Sequence, residues 1–193
     1  MEQIYHLFIK KECNHNCPLC CNKQYDISKL PVVTVEDLVS ADVVCLTGGE
    51  PFMIPPGILL NLCKRLKKQY SNIKKLYIYS SNLNPTFIDE KWWTLLYEVV
   101  DGVNIAPKTI DEWKYFHYLV HTPWFRDITD TTGPWEGMEN TKSNRLYVFE
   151  DQQAAYDSLH WDLPISWQVI GRKWDKVFNT PDNEHFVRLP ILY

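Results

Sequence analysis

Apolar positions along the chain alternate between a strand rhythm and a helix rhythm. IYHLFIK, residues 4–10, is a β-rich run with Ile4, Leu7 and Ile9 among its apolar positions, and it leads directly into a cluster of cysteines. After a polar connection, TVEDLVSA (34–41) predicts a short helix with Thr34 as N-cap, and DVVCLT (42–47) a buried strand ending in GGEP. From Pro56, residues Ile58, Leu59, Leu62, Cys63, Leu66 and Tyr70 recur at helical spacing opposite Lys64, Lys67 and Lys68, which makes this the clearest helix in the chain. KKLYIYSSN (74–82) predicts a strand ending in small polar residues, and PTFIDEKWWTLLYEVV (85–100) a helix opened by Pro85. The alternation continues with strand DGVNIAPK (101–108), helix IDEWKYFHYLV (110–120), strand RLYVFE (145–150), helix DQQAAYDSL (151–159) and strand ISWQVIG (165–171). Strands and helices alternating at this spacing predict an α/β fold with a parallel sheet and right-handed crossovers.

Two stretches resist the pattern. Residues 121–144, HTPWFRDITDTTGPWEGMENTKSN, are rich in Thr, Gly, Pro and Asn and read as an unusually long loop insertion, either a lid that packs over a ligand or a peripheral satellite. From Trp174 to Tyr193 the chain shows no period and receives no assignment. A length of 193 residues suits one domain, 1–193, and 45% apolar with 23% charged residues is a globular balance. A net charge of −4 argues against broad nucleic-acid binding. No run approaches the roughly 18 apolar residues of a membrane span, and the N-terminus lacks a secretion signal, so a cytoplasmic location is expected.

Composition matters most through the cysteines. CNHNCPLCC, residues 13–21, holds four of the six in the chain. In a reducing cytosol clustered cysteines act as metal ligands or catalytic groups rather than disulfides, and neighbours such as Cys20 and Cys21 pair poorly. Cys13-x3-Cys17-x2-Cys20 lets three thiolates converge on one inorganic centre, zinc or an iron–sulfur cluster. Zinc needs a fourth ligand, nominally His15 or Cys21, yet zinc sites generally staple two separated ligand pairs and no second pair exists here. A cubane on three cysteines leaves one iron open for a substrate or cofactor. Cys45 in a strand and Cys63 on an apolar helix face read as small core residues, and no auxiliary cluster is indicated. Cys21, beside the cluster, reads as structural with a reactive thiol as the alternative. His117 and His121 at i, i+4 spacing read as a packed or wetted edge rather than a metal pair.

Cys13-x3-Cys17-x2-Cys20 after the first strand resembles the signature of the radical S-adenosylmethionine superfamily, and Gly48, Gly49, Glu50 and Pro51 match that family's GGEP. The resemblance implies a [4Fe-4S] cluster on the three cysteines. Its open iron would chelate S-adenosylmethionine, and reduction would release a 5′-deoxyadenosyl radical that abstracts hydrogen from substrate. It also implies that Glu50 contacts the methionyl amine and that Ser81 and Asn82 contact the methionyl or ribose part. Leu19 stands where the family usually has an aromatic residue near the adenine. Paired glycines at a strand end let the backbone approach a ligand closely. The implied architecture is a partial (β/α)6 barrel with its active site at the C-terminal ends of the strands. The cysteines, GGEP, Ser80-Ser81-Asn82 and Pro107-Lys108 all fall at such ends. Lys108 is a candidate for an acidic substrate group, with a solvated surface lysine as the alternative. Gln168, as a cofactor contact, and Arg188 are further candidates.

Within the superfamily, LTGGEP, NIAPK, RLYVFED, SWQVIG and VRLP resemble, in order, segments of 7-carboxy-7-deazaguanine synthase, which implies a small deazapurine-type substrate and a flavodoxin or ferredoxin reductant. The chain departs from that family in lacking a Gly- and Glu-rich segment before Cys13. It also has Cys21-Asn22 where the family has an acidic and a hydroxyl residue that help hold Mg2+, so the resemblance implies no secure magnesium site. CNHNCPLCCN also resembles the activases of anaerobic ribonucleotide reductase, whose substrate is a partner protein that would fit the open side of a partial barrel. A non-catalytic zinc or iron–sulfur interaction module is the alternative of a different class.

Overall fold

The computed structural model describes residues 1–17, 20–24, 26–81, 89–130, 142–174 and 180–192. Its strands are β1 (Ile4–Lys10), β2 (Val43–Gly48), β3 (Lys75–Ser80), β4 (Gly102–Ile105), β5 (Asn144–Phe149), β6 (Trp167–Arg172) and β7 (Glu184–Arg188). They form one sheet in the order β6-β5-β4-β3-β2-β1-β7, and every pairing is parallel. The expected α/β fold with a parallel sheet is what the chain adopts. From β1 to β6 each strand lies beside its predecessor, so the chain winds in one direction instead of reversing from the middle as doubly wound sheets do.

The helices are α1 (Cys21–Gln24), α2 (Val35–Ser40), α3 (Pro56–Gln69), α4 (Glu90–Tyr97), α5 (Ile110–Val120), α6 (Pro123–Thr129) and α7 (Gln153–Asp157). Side chains alternate across each strand, and one set joins the helices in the main core. Leu7, Ile9, Val44, Leu46, Leu76, Ile78, Val103, Ile105, Leu146 and Val148 pack there with Leu59 and Cys63 of α3, Trp93 of α4 and Trp113 and Phe116 of α5. The opposite face carries a separate small cluster of Val43, Cys45 and Tyr77, with Ile4 and Tyr79 against it. The helices therefore load one face of the sheet. Two of them start at full capping boxes, Thr34 with Asp37 in α2 and Thr109 with Glu112 in α5, each worth about 1 kcal/mol.

Three differences from the sequence expectation have local causes. The presumed loop at 121–144 opens with α6, started by Pro123 at the first helical position and anchored by buried Phe125, which packs edge-on against Trp93 at 5.5 Å. Residues 131–141 lie outside the described residues. The unassigned C-terminal stretch contains β7, which adds to the free edge of β1, where His6 stacks on Phe186 at 4.6 Å and meets Glu184 at 2.9 Å. Helix α4 starts at Glu90, because extended Asp89 caps it by accepting from Trp92 N; the expected opening at Pro85 lies outside the described residues. Among the described residues no helix is long and apolar enough to cross a membrane.

Candidate functional site

All strands run the same way, so their C-terminal ends share one edge of the sheet. The cysteine loop follows β1, the GGEP turn follows β2, Ser81 follows β3 and Lys108 follows β4. The glycines of the turn have a visible reason. Gly48 has φ +119°, which side chains rarely adopt, and a Cβ on Gly49 would stand 1.9 Å from Glu12 O. Close backbone approach was expected toward a ligand; here it is toward the chain's own residues 10–12. Gly49 N donates to Lys10 O at 2.7 Å and Glu50 N to Glu12 O at 2.8 Å. Beyond the cysteines, Asn22 Nδ2 donates to Gly48 O at 2.8 Å. The two motifs, far apart in sequence, are thus bonded to each other on both flanks of the cysteine loop.

Glu50 is 1% exposed, and burial pushes its carboxyl above the usual range. Oε1 accepts from Phe52 N at 3.0 Å and Ser80 Oγ at 2.5 Å, while Oε2 accepts from Ser81 N at 2.9 Å and Ser81 Oγ at 3.0 Å. A carboxylate has about four acceptor positions, so these donors fill it. Pro51 is buried and opens the 3-10 turn Pro51–Met53, whose Phe52 packs edge-on against Trp92 and Trp93.

Cys13, Cys17 and Cys20 are partly exposed thiols on one loop, none of them in a disulfide. Burial raises the thiols of Cys13 and Cys17, and the nearby Lys108 charge opposes the rise at Cys17. Among the described residues no group of three His, Cys, Asp or Glu stands close enough to hold a single metal ion. The donor chemistry, three thiols uncommitted to disulfides beside a buried carboxylate, is of the kind an iron–sulfur cluster takes. Any such centre would have to displace the thiol protons. His15 is turned away from this role: its Nε2 lies 2.8 Å from Glu112 Oε1, and that bond holds the ring above the usual imidazole range.

Lys108 is not the solvated lysine of the alternative reading. Its Nζ lies 3.7 Å from the Phe149 ring centroid and 4.9 Å from that of Trp174, and it has no hydrogen-bond partner among the described residues. Burial pulls its pKa down, against the pull of Cys17, Asp151, Glu112 and Cys20. Phe149 and Trp174 stack at 4.1 Å, and Trp174 Nε1 donates to Asp151 Oδ1 at 2.8 Å. An ammonium stripped of hydrogen bonds and walled by rings is a ready partner for an anion.

The remaining candidates divide. Gln168 is exposed in β6, where it pairs with Arg145 of β5, and its side chain makes no hydrogen bond or ion pair among the described residues, so the structure does not join it to the site. Arg188 lies beside Phe8, gives Nη1 to Leu189 O at 3.2 Å and keeps a buried Nε without a partner among the described residues. Leu19, Asn82 and the side chain of Cys21 lie outside the described residues. Cys45 and Cys63 are buried core residues, as expected, and burial pushes both thiols up to about 12. His117 gives its Nε2 to His160 O at 2.7 Å and His121 its Nδ1 to His117 O at 2.7 Å, the wetted helix edge that was expected. Sequence reasoning missed Glu112, Phe149 and Trp174. Glu112 has a signal in the Thr109-x-x-Glu112 capping box; the two rings have none.

Compared with known proteins, the chain matches no family model and no curated protein.

Proposed function

We propose that the chain is a radical S-adenosylmethionine enzyme acting on a small molecule with an acidic group, of the 7-carboxy-7-deazaguanine synthase type. The observation that carries the reading is the direct bonding of the GGEP turn to both flanks of the three-cysteine loop, through Glu12, Lys10 and Asn22. These bonds carry the β1–β2 pairing, whose register ends with Lys10 opposite Gly48, past the strand ends and into the two motifs. The steady winding from β1 to β6 and the helices on one face support a partial (β/α)6 barrel with the site at the strand ends.

In this reading Cys13, Cys17 and Cys20 hold a [4Fe-4S] cluster. When bound and reduced by a flavodoxin or ferredoxin, the cluster supplies the electron that cleaves S-adenosylmethionine to the hydrogen-abstracting radical. Glu50 orients the methionyl amine: its acceptor positions are filled by four donors, two of them serine hydroxyls that can rotate away and free one. Lys108 receives the acidic group of the substrate, and Phe149 and Trp174 keep water from that contact. Magnesium is left out of this account, because Cys21 and Asn22 stand where the resembled family has an acidic and a hydroxyl residue.

The test is anaerobic reconstitution with iron and sulfide, reduction with S-adenosylmethionine, and assay for 5′-deoxyadenosine, with the triple variant Cys13→Ala, Cys17→Ala, Cys20→Ala as control. Release that depends on those cysteines supports the reading. One equivalent of zinc, no cluster and no deoxyadenosine would overturn it in favour of a metal-stapled interaction domain.

A further inference from the structure

We infer that His15 and Glu112 form a positioning pair that locks the three-cysteine loop into shape before any metal arrives and ties it to the turn carrying Lys108. The inference rests on the reading of Cys13, Cys17 and Cys20 as ligands, but not on which metal they bind.

Glu112 is the third residue of α5, and its rotamer is set locally. Oε2 accepts from Lys108 N at 2.8 Å and Thr109 N at 3.2 Å, while Thr109 Oγ1 accepts from Glu112 N at 3.3 Å. That box leaves Oε1 pointing at one place, and His15 Nε2 occupies it at 2.8 Å. Both side chains are mostly covered, 10% and 12% exposed, so water competes weakly for the bond.

The consequence runs through the loop. His15 lies midway between Cys13 and Cys17, and its own N–H donates to Cys13 Sγ at 3.4 Å. The loop is already held at its ends by Glu12 on Glu50 and by Asn22 on Gly48. Without His15 its middle would be free to open; with it, the chain is pinned at three points, the third of them between Cys13 and Cys17. The same carboxylate holds Lys108 N, so the start of α5 sets the spacing between the thiols and the Lys108 ammonium. His15 and Glu112 thus position the ligands and take no part in binding metal.

The experiment is alkylation by iodoacetamide of the reduced, metal-free, 193-residue chain, with each cysteine followed by peptide mass spectrometry. Cys45 and Cys63, buried at 3% and 0% exposure, report whether the fold is intact. His15→Leu is expected to speed alkylation of Cys13 and Cys17 about 10-fold, the effect of losing one charge-assisted bond on a local opening equilibrium. His15→Gln, whose amide nitrogen reaches the place of Nε2, is expected to stay within about 2-fold of the parent. Glu112→Asp keeps an acidic cap on α5 but falls a methylene short of His15, and is expected to behave like His15→Leu. Unchanged rates in His15→Leu with Cys45 and Cys63 protected would overturn the inference, as would failure of His15→Gln to restore protection. Absence of deoxyadenosine in the enzyme assay would remove the radical reading and leave the alkylation result standing.

Discussion

Gly49→Ala tests the contact on which the site depends, and Gly57→Ala supplies a control of opposite sign. A Cβ on Gly49 would meet Glu12 O at 1.9 Å and Glu12 C at 2.5 Å. Both atoms are backbone, so no side-chain rotation relieves the clash, and the turn must withdraw by roughly 1 Å or more to reach ordinary contact. That withdrawal stretches Gly49 N to Lys10 O, now 2.7 Å, and Glu50 N to Glu12 O, now 2.8 Å, beyond hydrogen-bond range. Two bonds at about 1 kcal/mol each, with part of the desolvation cost of the groups left behind, amount to about 2–4 kcal/mol. For a chain of this size the thermal midpoint should fall by about 5–15 °C. At exposed Gly57 in α3 an added Cβ meets nothing within 4 Å, and Gly57→Ala should gain about 0.5–1 kcal/mol by restricting the unfolded chain. Urea unfolding of the metal-free chain measures both. If Gly49→Ala stabilises as Gly57→Ala does, the GGEP turn is not packed against residues 11 and 12, and the joining of the two motifs fails with it.

Glu50→Ala leaves Phe52 N and Ser81 N without an acceptor in the interior and should cost about 2–4 kcal/mol in urea unfolding; a loss below about 1 kcal/mol would show that the serines and water replace the carboxylate. Lys108→Met should raise the thermal midpoint, since it removes a buried ammonium with no hydrogen-bond partner among the described residues and lays a thioether against Phe149; a clear drop would mean that the cation–π contacts outweigh desolvation. His6 is held below the usual imidazole range, chiefly by burial, so as pH falls from about 6.5 the unfolded chain takes the proton first and the fold loses stability through the lower, folded pKa. His6→Gln should flatten that loss between about pH 7 and pH 5, and urea midpoints that still fall in parallel with the parent would assign the loss to other groups.

The β/α alternation was legible because each element from β1 to β6 carries its own signal, an apolar run or a helical stripe, within its own residues. β7 was not legible, because HFVR is too short to announce a strand and becomes one only by adding to the edge that β1 offers. Helix α6 could have been read from Pro123 and the apolar spacing of Trp124, Phe125 and Ile128. The Gly, Thr and Pro composition of the residues that follow masked it.

The site divides along the same line. Cys13, Cys17, Cys20 and GGEP are legible because spacing alone states which donors are present and in what order. What places them is written nowhere in the motif. Glu12 meets Glu50, Asn22 meets Gly48 and His15 meets Glu112, and each pair joins a residue of a motif to an ordinary residue from a distant part of the chain. Lys108 shows the difference in kind: as a sequence position it was as plausibly solvated as functional, and only the arrival of Phe149 from the end of β5 and Trp174 from beyond β6 turns it into a desolvated cation. A motif can therefore nominate ligands, but the chemistry they perform is set by partners that local sequence does not specify. The same three-cysteine spacing without His15, Asn22 and the glycines would give a loop with the same donors and no fixed arrangement.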